Sequence, residues 1–145
     1  QVSDPVLLPT PAAPAQFEEF MEFITSGREL FIAKKYDSAI RQFSRALELD
    51  PNSVTALELR GKAHIADKDY QGAVEDFSKL IELAENSKQK AIFHTMRGQA
   101  REHLKRFGEA ADDFQQAIEA DPDYIPAQEN LEQLQSGGKR RTVRW

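Results

Sequence analysis

The sequence repeats a short motif three times, and this periodicity restricts the possible folds more than any other feature. Each copy has a glycine, an alanine twelve residues later, and a phenylalanine four residues after the alanine. The three copies are Gly27-Ala39-Phe43, Gly61-Ala73-Phe77 and Gly98-Ala110-Phe114. The glycines are 34 and then 37 residues apart. A period of this length is typical of a solenoid of stacked helical hairpins rather than of a single globular core.

The residues around each alanine and phenylalanine predict the second helix of each hairpin. Apolar side chains recur there at i, i+1, i+4, i+7 and i+8, which is one stripe of an α-helix. In the first copy they are Ala39, Ile40, Phe43, Ala46 and Leu47. A glycine inside a helix costs about 1 kcal/mol relative to alanine, so the three glycines predict a close approach between the helices of each hairpin. Charged residues outside the stripe should face solvent, among them Glu75, Asp76, Asp112 and Asp113.

These residues resemble the tetratricopeptide repeat family, whose motif is a large residue, Leu-Gly, Tyr, Ala-x3-Phe and a closing proline. The resemblance extends from about residue 20 to residue 135. Pro51 and Pro122 close the first and third copies, whereas Glu85 stands in place of the proline in the second. The resemblance implies an all-α, right-handed superhelical solenoid of three helical hairpins and a seventh capping helix, with extended N- and C-terminal tails.

Composition divides the chain into three parts. The first segment contains four of the seven prolines, and it should be extended, because proline lacks an amide donor and restricts the residue before it. The last nine residues are basic and contain two adjacent glycines. The predicted boundaries are 1–16 for the proline-rich tail, 17–136 for the repeat domain, about 20–53, 54–90 and 91–124 for its repeats, 124–135 for the capping helix and 137–145 for the basic tail.

Two details of the packing also follow from the pattern. The three-residue excess before the third copy lies near residues 85–88. It should lengthen either the connection to the third repeat or the first helix of that repeat. In the capping helix, apolar side chains are expected to shield the last hairpin, and these are Ile125, Leu131 and Leu134.

Charge is distributed unevenly along the chain. The formal net charge is −5, yet residues 137–145 carry four bases and no acid, which leaves 15 bases against 24 acids in the rest. Because the rest of the chain is this acidic, it repels a phosphate backbone, which argues against a nucleic-acid partner. Gly137-Gly138 predicts a flexible break. Beyond this break, the tail is predicted to bind an acidic surface through Lys139, Arg140, Arg141, Arg144 and Trp145. The alternative is that the tail serves only to increase solubility.

Several classes of protein are excluded by what the sequence lacks. The chain has no cysteine, so disulfides, zinc ribbons, iron–sulfur clusters and thiol nucleophiles are absent. Its histidines, His64, His94 and His103, lie on different repeats or helix faces and lack the spacing of a metal site. No apolar run approaches the ~20 residues that span a bilayer. We therefore expect no enzymatic activity, no cofactor, no metal, no small-molecule substrate and no transmembrane segment.

The family resemblance implies that a partner peptide is held in a concave groove lined by the first helix of each hairpin. Offsets from the repeat glycines assign the groove positions. They are Met21, Ile24, Arg28 and Phe31 in the first repeat, Thr55, Glu58, Lys62 and Ile65 in the second, and Ile92, Thr95, Gln99 and Glu102 in the third.

A well-known subclass of the family binds the acidic C-termini of heat-shock chaperones through a clamp of lysine, asparagine and arginine side chains. The five clamp positions of this chain carry none of the required residues. They are occupied by Ile24, Arg28, Leu59, Ile92 and Met96. The resemblance therefore disfavours a chaperone-tail receptor and favours a partner with apolar side chains and one acid near Arg28 and Lys62.

Two non-catalytic functions remain open at this stage. In the first, which we favour, the protein is an interaction scaffold or adaptor whose groove binds a partner peptide or protein. In the second, it is a constitutive subunit or assembly factor of a larger complex, held by its two tails. Because the sequence does not begin with methionine, we expect either a processed chain or part of a longer protein. The expected location is cytoplasmic, with a processed organellar form as the alternative.

Overall fold

Seven α-helices follow one another in the structure, a computed structural model that describes the backbone of residues 14–143 and the side chains of residues 15–137. Helices α1 and α2, α3 and α4, and α5 and α6 pair as three hairpins, each hairpin contacts the next, and α7 packs on α5 and α6. The described residues contain no strand, and the predicted all-α helical solenoid is confirmed. The helices are α1 (Pro14–Ile32), α2 (Tyr36–Leu49), α3 (Val54–Ala66), α4 (Tyr70–Leu83), α5 (Ser87–His103), α6 (Phe107–Ala120) and α7 (Ile125–Val143).

Each repeat glycine lies directly against the phenylalanine of its own motif. A Cβ atom added at Gly61 would lie 2.8 Å from a ring carbon of Phe77, and one added at Gly98 would lie 2.6 Å from the ring of Phe114. The three phenylalanines are completely buried. The predicted close approach is confirmed, and the group that requires it is an aromatic ring, which fills the space that a side chain on the facing helix would need.

We predict that Gly61→Ala lowers the free energy of unfolding by about 1–3 kcal/mol, because the added methyl group would overpack the buried ring. Gly108→Ala is the matched control, since a Cβ at this exposed helical position would meet nothing within 4 Å. Its expected effect is neutral or stabilising, by up to about 1 kcal/mol. Urea denaturation followed by circular dichroism measures both. Equal stability of the two variants would contradict the assignment of Gly61 to the helix contact.

The turn inside each hairpin uses a residue in the left-handed backbone region. Lys34, Lys68 and Lys105 have φ angles of 63°, 64° and 62°. In the first turn, the amide of Lys35 donates to the carbonyl oxygen of Leu30 at 2.8 Å, and the amide of Lys34 donates to that of Phe31 at 2.9 Å. This is the Schellman arrangement, which ends one helix and lets the next begin within four residues.

The structure corrects the predicted ends of the repeat domain. Helix α1 begins at Pro14 rather than after residue 16, because proline is tolerated in the first turn, where its missing amide needs no helical partner. Helix α7 continues past residue 135 to Val143, so Gly137 and Gly138 lie within a helix and do not form the predicted break. Two glycines add only about 1 kcal/mol each against a helix, and the next residues are good helix formers. The rest of the proline-rich tail, 1–13, and residues 144–145 lie outside the described residues.

The extra residues before the third repeat lengthen its first helix. Helix α5 has 17 residues, whereas α3 has 13. Asn86 supplies the new start, because its side chain accepts a hydrogen bond from the amide of Gln89 at 2.9 Å, which is an N-cap. Of the two predicted outcomes, the structure therefore shows the longer helix.

Helix α7 covers the last hairpin mainly through a small residue. Ala127 is fully buried with Ala91 and Ala117 in a cluster of its own. Leu131 and Leu134 are half-buried as expected. Ile125 is 52% exposed, so its predicted shielding role is wrong, because it is the first residue of α7 and lies at the edge of the contact.

Candidate functional site

Helices α1, α3 and α5, the first helices of the three hairpins, carry the predicted groove positions. Four of these side chains are exposed: Met21, Arg28, Thr55 and Lys62. Six are partly exposed: Phe31, Glu58, Ile65, Ile92, Gln99 and Glu102. Ten of the twelve positions are therefore accessible to a partner.

The other two predicted positions are wrong. Ile24 is 2% exposed and belongs to the main hydrophobic core, and Thr95 is 1% exposed. The hydroxyl group of Thr95 donates to the carbonyl oxygen of Ala91 at 2.7 Å, so it needs no outside partner. Both residues lie three positions before a repeat glycine, only about 60° around the helix from the buried glycine face. A short or apolar side chain at that angle is covered by its neighbours.

The charges on the accessible side of α3 compensate each other. The ammonium nitrogen of Lys62 lies 3.1 Å from a carboxylate oxygen of Glu58, one helical turn away. No carboxylate of the described side chains forms an ion pair with Arg28. Of the two basic groove positions, Arg28 is thus the one whose charge is free to meet an acid on a partner.

Apolar side chains stand at the clamp positions of the second and third repeats. Leu59, Ile92 and Met96 pack against the main core and are still partly exposed. Their outer surfaces offer no hydrogen-bond donor to a carboxylate. They do offer contact area to apolar groups, whose removal from water is favourable by about 25 cal/mol per Å².

Two arginine–aspartate pairs recur at the same positions of the second and third repeats. Arg60 donates to both carboxylate oxygens of Asp76, with Nε–Oδ2 at 2.9 Å and Nη2–Oδ1 at 2.7 Å. Its Nη1 donates to the hydroxyl oxygen of Ser44 in the preceding hairpin at 3.1 Å. Such a two-pronged pair satisfies a carboxylate better than single hydrogen bonds do.

The third repeat elaborates the same arrangement. Arg97 donates to Asp113, with Nη2–Oδ1 at 2.8 Å, and its Nη1 donates to the hydroxyl oxygen of Ser78 in the preceding hairpin at 3.0 Å. Arg101 adds a second guanidinium, 2.8 Å from the other carboxylate oxygen of Asp113. A ring nitrogen of His94 lies 3.1 Å from that carboxylate as well.

Both aspartates are buried, with 3% and 2% of Asp76 and Asp113 exposed, so the prediction that they face solvent is wrong. A charged carboxylate tolerates burial only with a charged, hydrogen-bonded partner. Here the partner is supplied sixteen residues earlier by the arginine that precedes the repeat glycine. This recurrent spacing was the available signal in the sequence. The corresponding positions of the first repeat hold Ser26 and Gln42, and no such pair is possible there.

The buried pairs shift the ionisation of their members. Burial acts to raise the pKa of Asp113, but hydrogen bonds from His94 and Arg97 and the charges of Arg97 and Arg101 outweigh it, so this pKa is lowered. The pKa of Arg60 is raised, chiefly because its side chain is hydrogen-bonded to Asp76. Asp113 and Arg60 are therefore both held in their charged forms.

Each of the three histidines contacts a neighbouring side chain of the second or third repeat. His64 and His94 are partly buried, and His103 is exposed. The ring of His103 stacks on that of Tyr70, with ring centroids 4.4 Å apart. No group of histidine and carboxylate side chains able to hold a metal ion occurs among the described residues.

Comparison with known sequences assigns the chain to a family. Two models of the tetratricopeptide repeat match residues 25–89 and 91–124, which together are more than half of the chain. The chain therefore belongs to the tetratricopeptide repeat family. Among curated proteins, none matches the sequence. In the described part of the chain, no helix has the length and apolar character needed to cross a membrane.

Solved structures of the same fold resemble the chain closely in backbone and weakly in sequence. The Arabidopsis OM64 TPR domain is 25% identical, with a TM-score of 0.70 over 82% of this chain and 96% of that one. The first TPR of Spaghetti (RPAP3), bound to the HSP90 peptide SRMEEVD, is 22% identical, with a TM-score of 0.71 over 83% and 93%. The second TPR domain of human RPAP3, in complex with the HSP70 peptide SGPTIEEVD, is 23% identical, with a TM-score of 0.73 over 83% and 98%.

We predict that Asp113→Asn lowers the free energy of unfolding by about 3–5 kcal/mol, because it leaves two partly buried guanidinium groups without a countercharge. Asp112→Asn, at the exposed neighbouring position, is the matched control and should change stability by no more than about 0.5 kcal/mol. Thermal or urea denaturation distinguishes the two. A similar small effect of both substitutions would show that the buried pair contributes no net stability.

The lowered pKa of Asp113 also leads us to predict that the stability of the protein depends on pH. Because the pKa of Asp113 is lower in the folded than in the unfolded chain, its contribution is complete above the unfolded value of about 3.9 and is lost as the pH falls through the folded value. The difference in unfolding free energy between the native chain and Asp113→Asn should therefore be constant near neutral pH and shrink below pH of about 4. Urea titrations at a series of pH values measure this difference. A difference that shrinks near neutral pH would assign the effect to another group.

Proposed function

We propose that this protein is a non-catalytic interaction scaffold that binds a partner peptide or protein segment along the accessible faces of α1, α3 and α5. The observation that carries the proposal is the row of accessible, chemically mixed side chains at equivalent positions of three stacked helices, such as Met21, Thr55 and Ile92. Peptide-bound TPR domains of RPAP3 share the fold and support this type of activity. The buried core holds the three helices that form the proposed groove in a fixed arrangement.

The partner that fits this surface has apolar side chains rather than an acidic C-terminus. Leu59, Ile92 and Met96 replace the polar clamp residues, and Ile24 is buried. Lys62 is already paired with Glu58. Arg28 provides one site for an acid on the partner, and the remaining contacts are apolar.

A display selection from a random peptide library tests the proposal with the full chain as bait. We expect the selected peptides to carry several apolar residues and to bind at least about tenfold more weakly to Thr55→Glu or Ile92→Glu, because an added charge must be desolvated on binding. Gln115→Glu, at an exposed position of α6, is the matched control and should leave binding unchanged. Fluorescence anisotropy with labelled peptide provides the affinities.

Two results would contradict the proposal. If Gln115→Glu weakened the peptides as much as Thr55→Glu, the binding site would not lie on the first helices. If the chain bound SRMEEVD or SGPTIEEVD, and Arg28→Glu abolished that binding, the preference for an apolar partner would be wrong and a chaperone-tail receptor would be the better description.

The alternative function, a constitutive subunit of a larger complex, is favoured by apolar side chains outside the groove. Ile32 is 79% exposed, and Phe107 and Ile125 are 44% and 52% exposed. A stable complex would cover such residues. Ile32→Ser and Phe107→Ser would then weaken assembly more than changes in the groove, which size-exclusion chromatography of the native complex would reveal.

A further inference from the structure

Helix α1 has an outer face that combines acidic and apolar side chains. A depression of about 560 Å³ lies along it. Phe17 and Met21, which are 59% and 40% exposed, contribute its apolar part. Glu18, Glu22 and Glu29 contribute three exposed carboxylates. None of these carboxylates forms an ion pair with another described side chain.

This face is the one through which the other repeats stack. Glu22 and Glu29 lie five positions before and two positions after the repeat glycine. Helices α3 and α5, at the same positions, pack against the preceding hairpin. Their residues there are small or apolar and buried: Ala56, Ala63, Phe93 and Ala100. No described residue of the chain covers this stacking face in α1. It carries acidic as well as apolar side chains, whereas the same face of α3 and α5 is small or apolar.

The opposite end of the solenoid carries the complementary charge. Helix α7 continues to Val143, and the sequence from residue 137 to residue 145 contains three arginines, one lysine, no acid and the only tryptophan of the chain. Helix α1 packs on α2 and α3, whereas α7 packs on α5 and α6. The two charged elements thus belong to opposite ends of one chain, so an attraction between them acts between two copies.

We propose that copies of this protein associate head to tail, with the basic end of α7 of one copy docked on the acidic and apolar face of α1 of the next. The carboxylates would pair with the arginines and lysine, and the depression between Phe17 and Met21 would take up apolar side chains. Such a contact joins two different surfaces. It therefore generates a ring or an open chain rather than a symmetric dimer. The contact would share Met21 with the predicted groove positions and would use none of those on α3 and α5.

Sedimentation velocity of the full chain over a range of protein concentrations tests the proposal. We expect the average mass to rise with concentration and to fall when salt is added, since screening weakens contacts between exposed charges. Glu18→Lys with Glu22→Lys places like charges at the contact. Lys139→Glu with Arg140→Glu and Arg141→Glu does the same from the other side, because Arg144 is then the only base left among residues 137–145. Each set of substitutions should shift the association midpoint by at least about tenfold.

The decisive measurement mixes the two charge-reversed variants. Each variant should associate with itself only weakly, yet together they present opposite charges at every contact, so an equimolar mixture should recover the average mass of the native chain. Loss of folding could not produce this recovery. Glu48→Lys with Glu82→Lys, at exposed positions of α2 and α4, is the matched control and should associate like the native chain. A native chain that stays monomeric, or a mixture that does not associate, would overturn the proposal.

Discussion

The contact between a helix backbone and a buried phenylalanine ring is the constraint on which the rest of the structure depends. It occurs once in each hairpin, where Gly27, Gly61 and Gly98 admit the rings of the same motif. Because the contact fixes how the two helices of a hairpin cross, it also fixes which face of the first helix remains outside. Three equivalent contacts, stacked in series, therefore give three first helices whose equivalent faces recur along the solenoid.

In the second and third repeats, charges buried between the helices also favour one arrangement of those helices. Asp76 and Asp113 cost free energy to bury, and the guanidinium groups of Arg60 and Arg97 offset that cost only in the native arrangement. An alternative packing of these helices would leave a carboxylate without its partner. The first repeat lacks the pair and relies on apolar packing, together with the guanidinium of Arg45 over the ring of Phe23.

Much of the fold was predictable from the sequence, because its determinants are local and recur. The glycine, alanine and phenylalanine spacing predicts the three helical hairpins, and the family resemblance adds the seventh helix. The ends were not predictable in the same way, since Gly137 lowers helix stability by too little to stop α7. Accessibility in the groove was predictable only to within one helical position, as Ile24 shows. The burial of Asp113 depends on an arginine from another helix, and the apolar periodicity of a single helix does not reveal such a partner.

The two kinds of polar contact differ in where they act. Every ion pair among the described side chains joins residues of the same hairpin, whereas the arginine contacts to Ser44, Ser78 and Gln71 link successive hairpins through neutral oxygens. A hydrogen bond from a guanidinium group to a neutral oxygen lacks the attraction between two opposite charges that an ion pair has. The ion pairs therefore stabilise each hairpin internally, whereas successive hairpins are joined by these hydrogen bonds and by the shared apolar core. A small rotation between neighbouring hairpins can consequently change the curvature of the solenoid without separating a single pair of opposite charges.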